Sequence, residues 1–242
     1  MAGFAKETQG TAPAERRAVP PLQPGDRLSR PEFERRYAAM PDGIKAELVE
    51  GVVYIMPSPV RKDRHGKPHF VLIGWLAVYQ AGTPGVEGAD NSTVRLDLDN
   101  EPQPDIFLRI LPEHGGQSRT SEDDYVEGAP ELVAEIAATS ASYDLHDKLR
   151  AYRRNGVREY IVWRTEDEAI DWFALEEGEF VPIAPDENGM LRSRVFPGLW
   201  LDPRALLARD LKRVFDVAGR GLASPDHKAF AERLARAGTS GT

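Results

Sequence analysis

The sequence predicts one α/β domain, a mixed β-sheet flanked by helices with extra β-hairpins. Three stretches carry that expectation. Residues 131–138 form a short apolar run suited to a buried strand, followed by a helical period over 143–155 and a further strand over 159–163. Residues 69–80 (HFVLIGWLAVYQ) are apolar for long enough to make a buried helix. Residues 46–56 (AELVEGVVYIM) hold two β-rich runs around Glu50-Gly51, which signals a hairpin.

The other elements come in chain order. Residues 1–24, rich in Ala, Pro and Gly without periodicity, read as a flexible arm. Ser29 ahead of Pro31 starts a short helix. A basic loop over 61–67 precedes the apolar helix, which Gly82 and Pro84 end. Residues 93–98 alternate, with Val94, Leu96 and Leu98 on one side, and 104–110 form another strand. The polar, Gly- and Pro-punctuated stretch 111–129 reads as a long loop. Gly156 closes the 143–155 helix. Strands at 169–175 and 179–183 suggest an all-β addition after 165, Asn188-Gly189 marks a tight turn, and helices over 203–220 and 225–237 finish the chain. The expected division is an arm (1–24), a single domain (25–220) and a C-terminal helix with tail (221–242).

Hydrophobic residues make up 41% of the 242, enough for a core, and no run is long enough to cross a bilayer. The first residues lack an apolar stretch between charges, so no secretory signal is read there, and a cytoplasmic protein without membrane attachment is expected. With no cysteine, thiolate metal sites and cysteine nucleophiles are excluded. A net charge of −8 argues against a protein that merely coats nucleic acid. The average conceals two basic runs, however. Residues 61–69 carry four Lys/Arg against one acid, and 148–158 carry five with none. Such runs can present a local phosphate-binding surface on an acidic protein, although each alone is more often a solvated face.

Chemistry concentrates in three segments. Asp105 heads a strand directly after Pro104. Glu135 interrupts the apolar run Leu132-Val133-Ala134-Glu135-Ile136-Ala137, where a period of two puts Val133, Glu135 and Ala137 on one face. An ionised carboxylate in an apolar strand needs a positive partner, and a second carboxylate on a neighbouring strand would complete a hard-oxygen site for Mg²⁺ or Mn²⁺. In the next helix, Leu145, Leu149 and Tyr152 form the inward stripe. Lys148 lies beside that stripe, while Arg150, Arg153 and Arg154 point outward toward possible phosphates.

The ELVEG hairpin, the PD at 104–105, the ELVAEIA strand and the D…K…Y…GVREYIVW helix–strand together resemble the Uma-two family of restriction-endonuclease-like proteins, within the PD-(D/E)XK superfamily. The likeness spans roughly residues 30 to 200. It implies a restriction-endonuclease-like fold, with Asp105 as the acid of the PD motif and Glu135 as the acid of the E-x-K motif. The superfamily lysine normally stands two residues after that glutamate, where this chain has Ala137. Lys148 matches variants in which the lysine has moved to the next helix, and Glu47 resembles an additional acid near such sites.

The residues and the resemblance together imply a Mg²⁺- or Mn²⁺-dependent endonuclease hydrolysing phosphodiester bonds of DNA. Asp105, Glu135 and the Ile136 carbonyl would bind metal, Lys148 would act as catalytic cation, and Arg150, Arg153, Arg154, Lys62, Arg64 and Lys67 would contact nucleic acid. A homodimer is the preferred assembly. The rival reading is a catalytically inactive nucleic-acid-binding or protein-interaction module, and a hydrolase of small phosphoesters comes third. Individually, Asp105 could be a turn cap, Glu135 half of a structural ion pair and Lys148 a surface lysine. His65 and His69 are four apart, but Gly66 and Pro68 are expected to break a helix between them, so they are not read as metal ligands. His69 is expected to cap the helix or contact phosphate. The four tryptophans are read as core residues, and no P-loop, dinucleotide fingerprint or nucleophile elbow is present.

Overall fold

The computed structural model describes residues 18–56, 61–138 and 143–239; residues 1–17 of the expected arm lie outside them. Helix α1 (Arg30–Tyr37) starts after Ser29 with a proline in its first turn. Strands β1 (Ala46–Val49) and β2 (Val52–Ile55) pair as a separate hairpin. Its two-residue turn places both Glu50 (φ 54°) and Gly51 (φ 71°) in the left-handed region, as the expected Glu50-Gly51 signal requires. Helix α2 (Lys67–Gly82) is preceded without a break by a π-helical turn, Lys62–Gly66.

Then come β3 (Val86–Asp90), β4 (Val94–Arg95), β5 (Ile106–Ile110), β6 (Arg119–Thr120), β7 (Val126–Glu127) and β8 (Leu132–Ala137). Helix α3 (Leu149–Arg154) again has a π-helical lead, Asp144–Lys148. Strands β9 (Glu159–Arg164), β10 (Ala169–Glu176), β11 (Glu179–Pro182), β12 (Leu191–Arg192) and β13 (Trp200–Leu201) come next, then helices α4 (Pro203–Leu207), α5 (Leu211–Leu222) and α6 (Pro225–Thr239).

The main sheet runs β11-β10-β9-β8-β5-β3. Only β8 and β9 pair in parallel, joined by the α3 crossover, and the other neighbours are antiparallel. The alternation along β8 sorts the two faces as expected. Leu132, Ala134 and Ile136 join Trp75, Leu72, Trp163 and Trp172 beneath α2 and α5. Val133 and Ala137 pack with Phe107, Tyr152, Tyr160 and Val162 on the α3 face. All of these are buried, so the sheet has helices over both sides. Leu22, Phe33, Leu48 and Val53 make a smaller core around the hairpin.

Several expectations are corrected. The basic 61–67 segment is helical. Pro68 cannot donate to the carbonyl of Arg64, and that carbonyl instead accepts from the Thr165 hydroxyl at 2.9 Å, while His65 and Gly66 close a wider turn on the Arg61 carbonyl. The alternating 93–98 stretch yields only two strand residues, and Leu98 is 64% exposed, because this chain turns away to bond α1 and the hairpin. Strand β3 lacks a sequence signal: Glu87, Gly88 and Asp90 sit on the sheet's edge. Strands β10 and β11 extend the main sheet instead of forming an all-β addition, while β12 and β13 pair separately. The 203–220 helix is two, broken at Arg209 (φ 59°), with Asp210 capping α5 by accepting from the Arg213 N–H.

The hairpin is tied to the chain before β5 by reciprocal backbone bonds between Leu48 and Glu101. Burial, together with the neighbouring Glu34 carboxyl, pushes the Glu101 carboxyl up to about 8 against the pull of Arg95 and Arg30. A folded-state value above the unfolded one contributes stability that is complete below the unfolded value and lost as pH rises through the folded one. Urea unfolding of Glu101→Gln should therefore show a weaker loss of stability than wild type between about pH 4.5 and 8. Parallel pH profiles for the two proteins would refute this coupling.

Candidate active site

The antiparallel β5–β8 ladder stops at Ile106↔Ala134. One step further, the start of β5 meets the carboxyl end of β8, and register puts Asp105 across from Glu135. Carboxylates replace ladder carbonyls there: the Ile136 N–H donates to Asp105 Oδ2 at 2.7 Å, and the Asp105 N–H donates to Glu135 Oε2 at 3.3 Å. Both side chains are buried on the face that α3 covers.

Lys148, in the π-helical lead of α3, is only 4% exposed. Its ammonium donates to Glu135 Oε1 at 2.8 Å and lies 3.1 Å from Glu47 Oε2. Glu47, fully buried on β1, also accepts from the Gln103 N–H at 3.0 Å and the Tyr143 hydroxyl at 3.2 Å. The Tyr143 ring packs tilted against Tyr54 with centres 4.2 Å apart, and the Lys148 ammonium stands 5.4 Å from the Tyr143 centre. The Tyr152 hydroxyl donates to Glu135 Oε1 at 2.9 Å.

From α2 and its π-helical lead, two histidines reach Asp105. His65 Nε2 lies 3.2 Å from both of its carboxylate oxygens, and His69 Nε2–H donates to its carbonyl at 2.9 Å. The expected helix break at Gly66 and Pro68 does not occur, so both rings present to one residue from successive turns. His69 contacts backbone here instead of capping the helix. His65, His69, Tyr143 and Tyr152 are the site residues that sequence reading passes over. The histidine spacing is the available signal, and Tyr152 is hidden among core positions.

The electrostatics follow from burial. Burial alone would favour a protonated Asp105, but His65, the Ile136 N–H and the field of Lys148 hold it down to about 2. Burial pushes Glu135 up to about 8; Lys148 opposes this, while Asp105, Asp144 and Glu47 add to it. Burial would neutralise Lys148, but Glu135, Glu47 and Asp144 outweigh it and keep the ammonium charged well above the ordinary lysine value. Glu135 and Glu47 thus share one buried ammonium, with Asp105 buried beside them against His65. Hard oxygens with surplus negative charge fit a divalent cation. Among the described residues, no three His, Asp or Glu groups are spaced to hold an ion by themselves, so backbone oxygen or water would have to complete a coordination shell.

The six cations expected at phosphates each pair with an acid: Arg150 with Asp147, Arg153 with Glu179, Arg154 with Glu50 and Asp97, Arg64 with Glu166, and Lys62 and Lys67 with Asp63. Among the described residues, no helix is long and apolar enough to cross a membrane.

No curated protein matches the chain. The crystal structure of a "putative nuclease belonging to DUF820" from Anabaena variabilis aligns with a TM-score of 0.49 and 12% identity, over 76% of this chain and 97% of that one. The model of the Uma2 family, described as "Putative restriction endonuclease", matches residues 30–204, more than half of the 242. The chain belongs to the Uma2 family of nuclease-like proteins.

Proposed function

We propose that this protein is a metal-dependent endonuclease that hydrolyses phosphodiester bonds of DNA in the cytoplasm. The observation that carries the proposal is the convergence of Asp105, Glu135 and Lys148 at one sheet end with more buried carboxylates than cations. Asp105, Glu135 and the Ile136 carbonyl would hold Mg²⁺ or Mn²⁺, which when bound supplies Lewis acidity and a more acidic water. His65 and the Ile136 N–H orient the Asp105 carboxylate, and Tyr152 fixes Glu135. Glu47 holds Lys148 charged where negative charge would grow on a phosphate in the transition state. The exposed ion pairs of Lys62, Arg64, Lys67 and Arg150 are weak enough for phosphates to replace their acids. Cutting both strands of a duplex would use two copies, which is the reason for preferring a homodimer.

A second reading, an inactive nucleic-acid-binding or protein-interaction module, is favoured by one observation. Both Glu135 oxygens already have donors, Lys148 and Tyr152 on one and the Asp105 N–H on the other. The purified protein with Mg²⁺ or Mn²⁺ would be incubated with plasmid, linear and single-stranded DNA, RNA and a simple phosphate ester, beside Asp105→Ala. Cleavage of DNA by wild type alone supports the proposal, and intact substrates in every arm support the inactive module.

In metal-free buffer Glu135→Gln should melt at or above the wild-type temperature, since burial disfavours that carboxylate, whereas Asp105→Asn should melt lower, since His65 and the Ile136 N–H stabilise its ionised form. Millimolar Mg²⁺ or Mn²⁺ should raise the melting temperature of wild type and of neither variant. Identical metal responses in all three proteins would remove both residues from the metal site.

Lys148→Ala should behave oppositely to Glu135→Gln in metal-free buffer. It strands Glu135 and Glu47 without their cation and should cost about 3–5 kcal/mol in denaturant unfolding. Turnover should fall on the order of 10²–10³-fold, with little rescue by Lys148→Arg, whose planar fork does not fit an ammonium's place. An alanine variant of full stability and full activity would move the catalytic cation elsewhere.

A further inference from the structure

The helix that carries His65 and His69 has a second functional row beside them. Lys62, Gly66 and Phe70 are spaced four apart, as His65 and His69 are, and the two rows are neighbours on a helix about 10 Å across. Phe70 is 72% exposed, far more than any other large apolar side chain among the described residues except Leu98. It opens onto a cleft of about 580 Å³ lined also by Lys62, Lys67, Val71, Arg209 and Leu211. Leu211 and Phe215 are themselves 37% and 36% exposed. Phe215 packs over Gly74, one turn beyond Phe70, where an added Cβ would stand 3.3 Å from its ring.

The rim is basic. Lys62 and Lys67 share a single carboxylate, Asp63, at 3.8 and 2.6 Å. The left-handed Arg209, at the break between α4 and α5, turns its guanidinium to the Asp63 carbonyl at 3.2 Å. Three cations thus face one acid on a chain whose net charge is −8.

We propose that this cleft binds an unpaired nucleotide of the nucleic-acid substrate, with the base stacked on Phe70 and flanking phosphates on Lys62, Lys67 and Arg209. The inference rests on the nuclease reading and narrows its substrate to strands with accessible base faces. A duplex stacks those faces on one another, so a protruding phenyl ring meets a single-stranded or extruded base without the energetic cost of unstacking a duplex step. Phenylalanine offers no hydrogen bond to a base edge, so the contact is general with respect to sequence. A second copy of this chain fits less well. A two-fold contact on this patch would set Lys62, Lys67 and Arg209 against their own copies.

The test uses the full chain carrying Asp105→Ala in metal-free buffer, so binding is read without cleavage. The probe is an oligodeoxythymidine strand with one 2-aminopurine, beside its duplex. The single strand should bind more tightly than the duplex, and its 2-aminopurine fluorescence should be quenched. Adding Phe70→Ala should weaken single-strand binding about ten- to hundredfold and abolish the quenching, whereas Phe70→Trp should preserve both. Phe70 is exposed, so the alanine variant should keep its melting temperature. Unchanged affinity and quenching in Phe70→Ala would overturn the proposal. So would a loss of dimer in sedimentation with single-strand binding intact, which would make the patch a contact between copies. DNA cleavage by wild type without stacking defeats this inference alone, and stacking without cleavage defeats only the nuclease assignment.

Discussion

The buried ammonium of Lys148 is the contact on which the arrangement of this molecule depends. It joins three parts of the chain that pack from different directions: β8 through Glu135, the β1–β2 hairpin through Glu47, and the start of α3 on which it stands. Neither glutamate could be buried alone, because an isolated carboxylate in an apolar interior costs several kcal/mol after relaxation. One cation offsets two of them, and tyrosine hydroxyls at 143 and 152 fill remaining acceptor sites. The hairpin, which hydrogen-bonds to no strand of the main sheet, is thereby docked against its active end. The arrangement still leaves carboxylates in excess, since Asp105, which faces His65, is buried beside them.

The position of that imbalance is set by strand direction. The start of β5 and the carboxyl end of β8 lie at the same sheet edge because the two run antiparallel, while the parallel β8–β9 step forces a crossover helix to begin above that edge. Asp105, Glu135 and Lys148 come from the chain ends that this topology collects. Helix α2 and its lead close the other side with two histidines on Asp105. The active end is therefore built where backbone pairing stops, and side-chain carboxylates accept the N–H groups that a longer ladder would have used.

Much of this was legible from local pattern. Period-two alternation placed Glu135 with Val133 and Ala137, and helical spacing put Lys148 beside the stripe of Leu145, Leu149 and Tyr152, since both signals depend only on the element's own geometry. The turn at Glu50-Gly51 was readable for the same reason. What failed depended on partners distant in sequence. Pro68 argued against a helix through His65 and His69, and the carbonyl it frees is satisfied by Thr165, 101 residues further along the chain. Residues 93–98 had a strand's alternation but found no long neighbour, and β3 had a neighbour without the pattern. The acids that pair with Arg153 and Arg154, Glu179, Glu50 and Asp97, were not readable either, because they arrive from other elements.

The pairing of Ala137 on the strand with Lys148 ahead of the helix has a packing explanation. Ala137 shares Glu135's face but is buried among Val133, Tyr152, Tyr160 and Val162. A lysine there would carry its stem into a close-packed apolar cluster. From α3 the same charge approaches across the face of the sheet, with Glu47 and the Tyr143 ring already on its far side. The carboxylate on that far side, Glu47, is supplied by the hairpin. Ala137, Lys148 and Glu47 form one linked solution, in which the small residue on the strand makes room for Tyr152 and the helix supplies the charge.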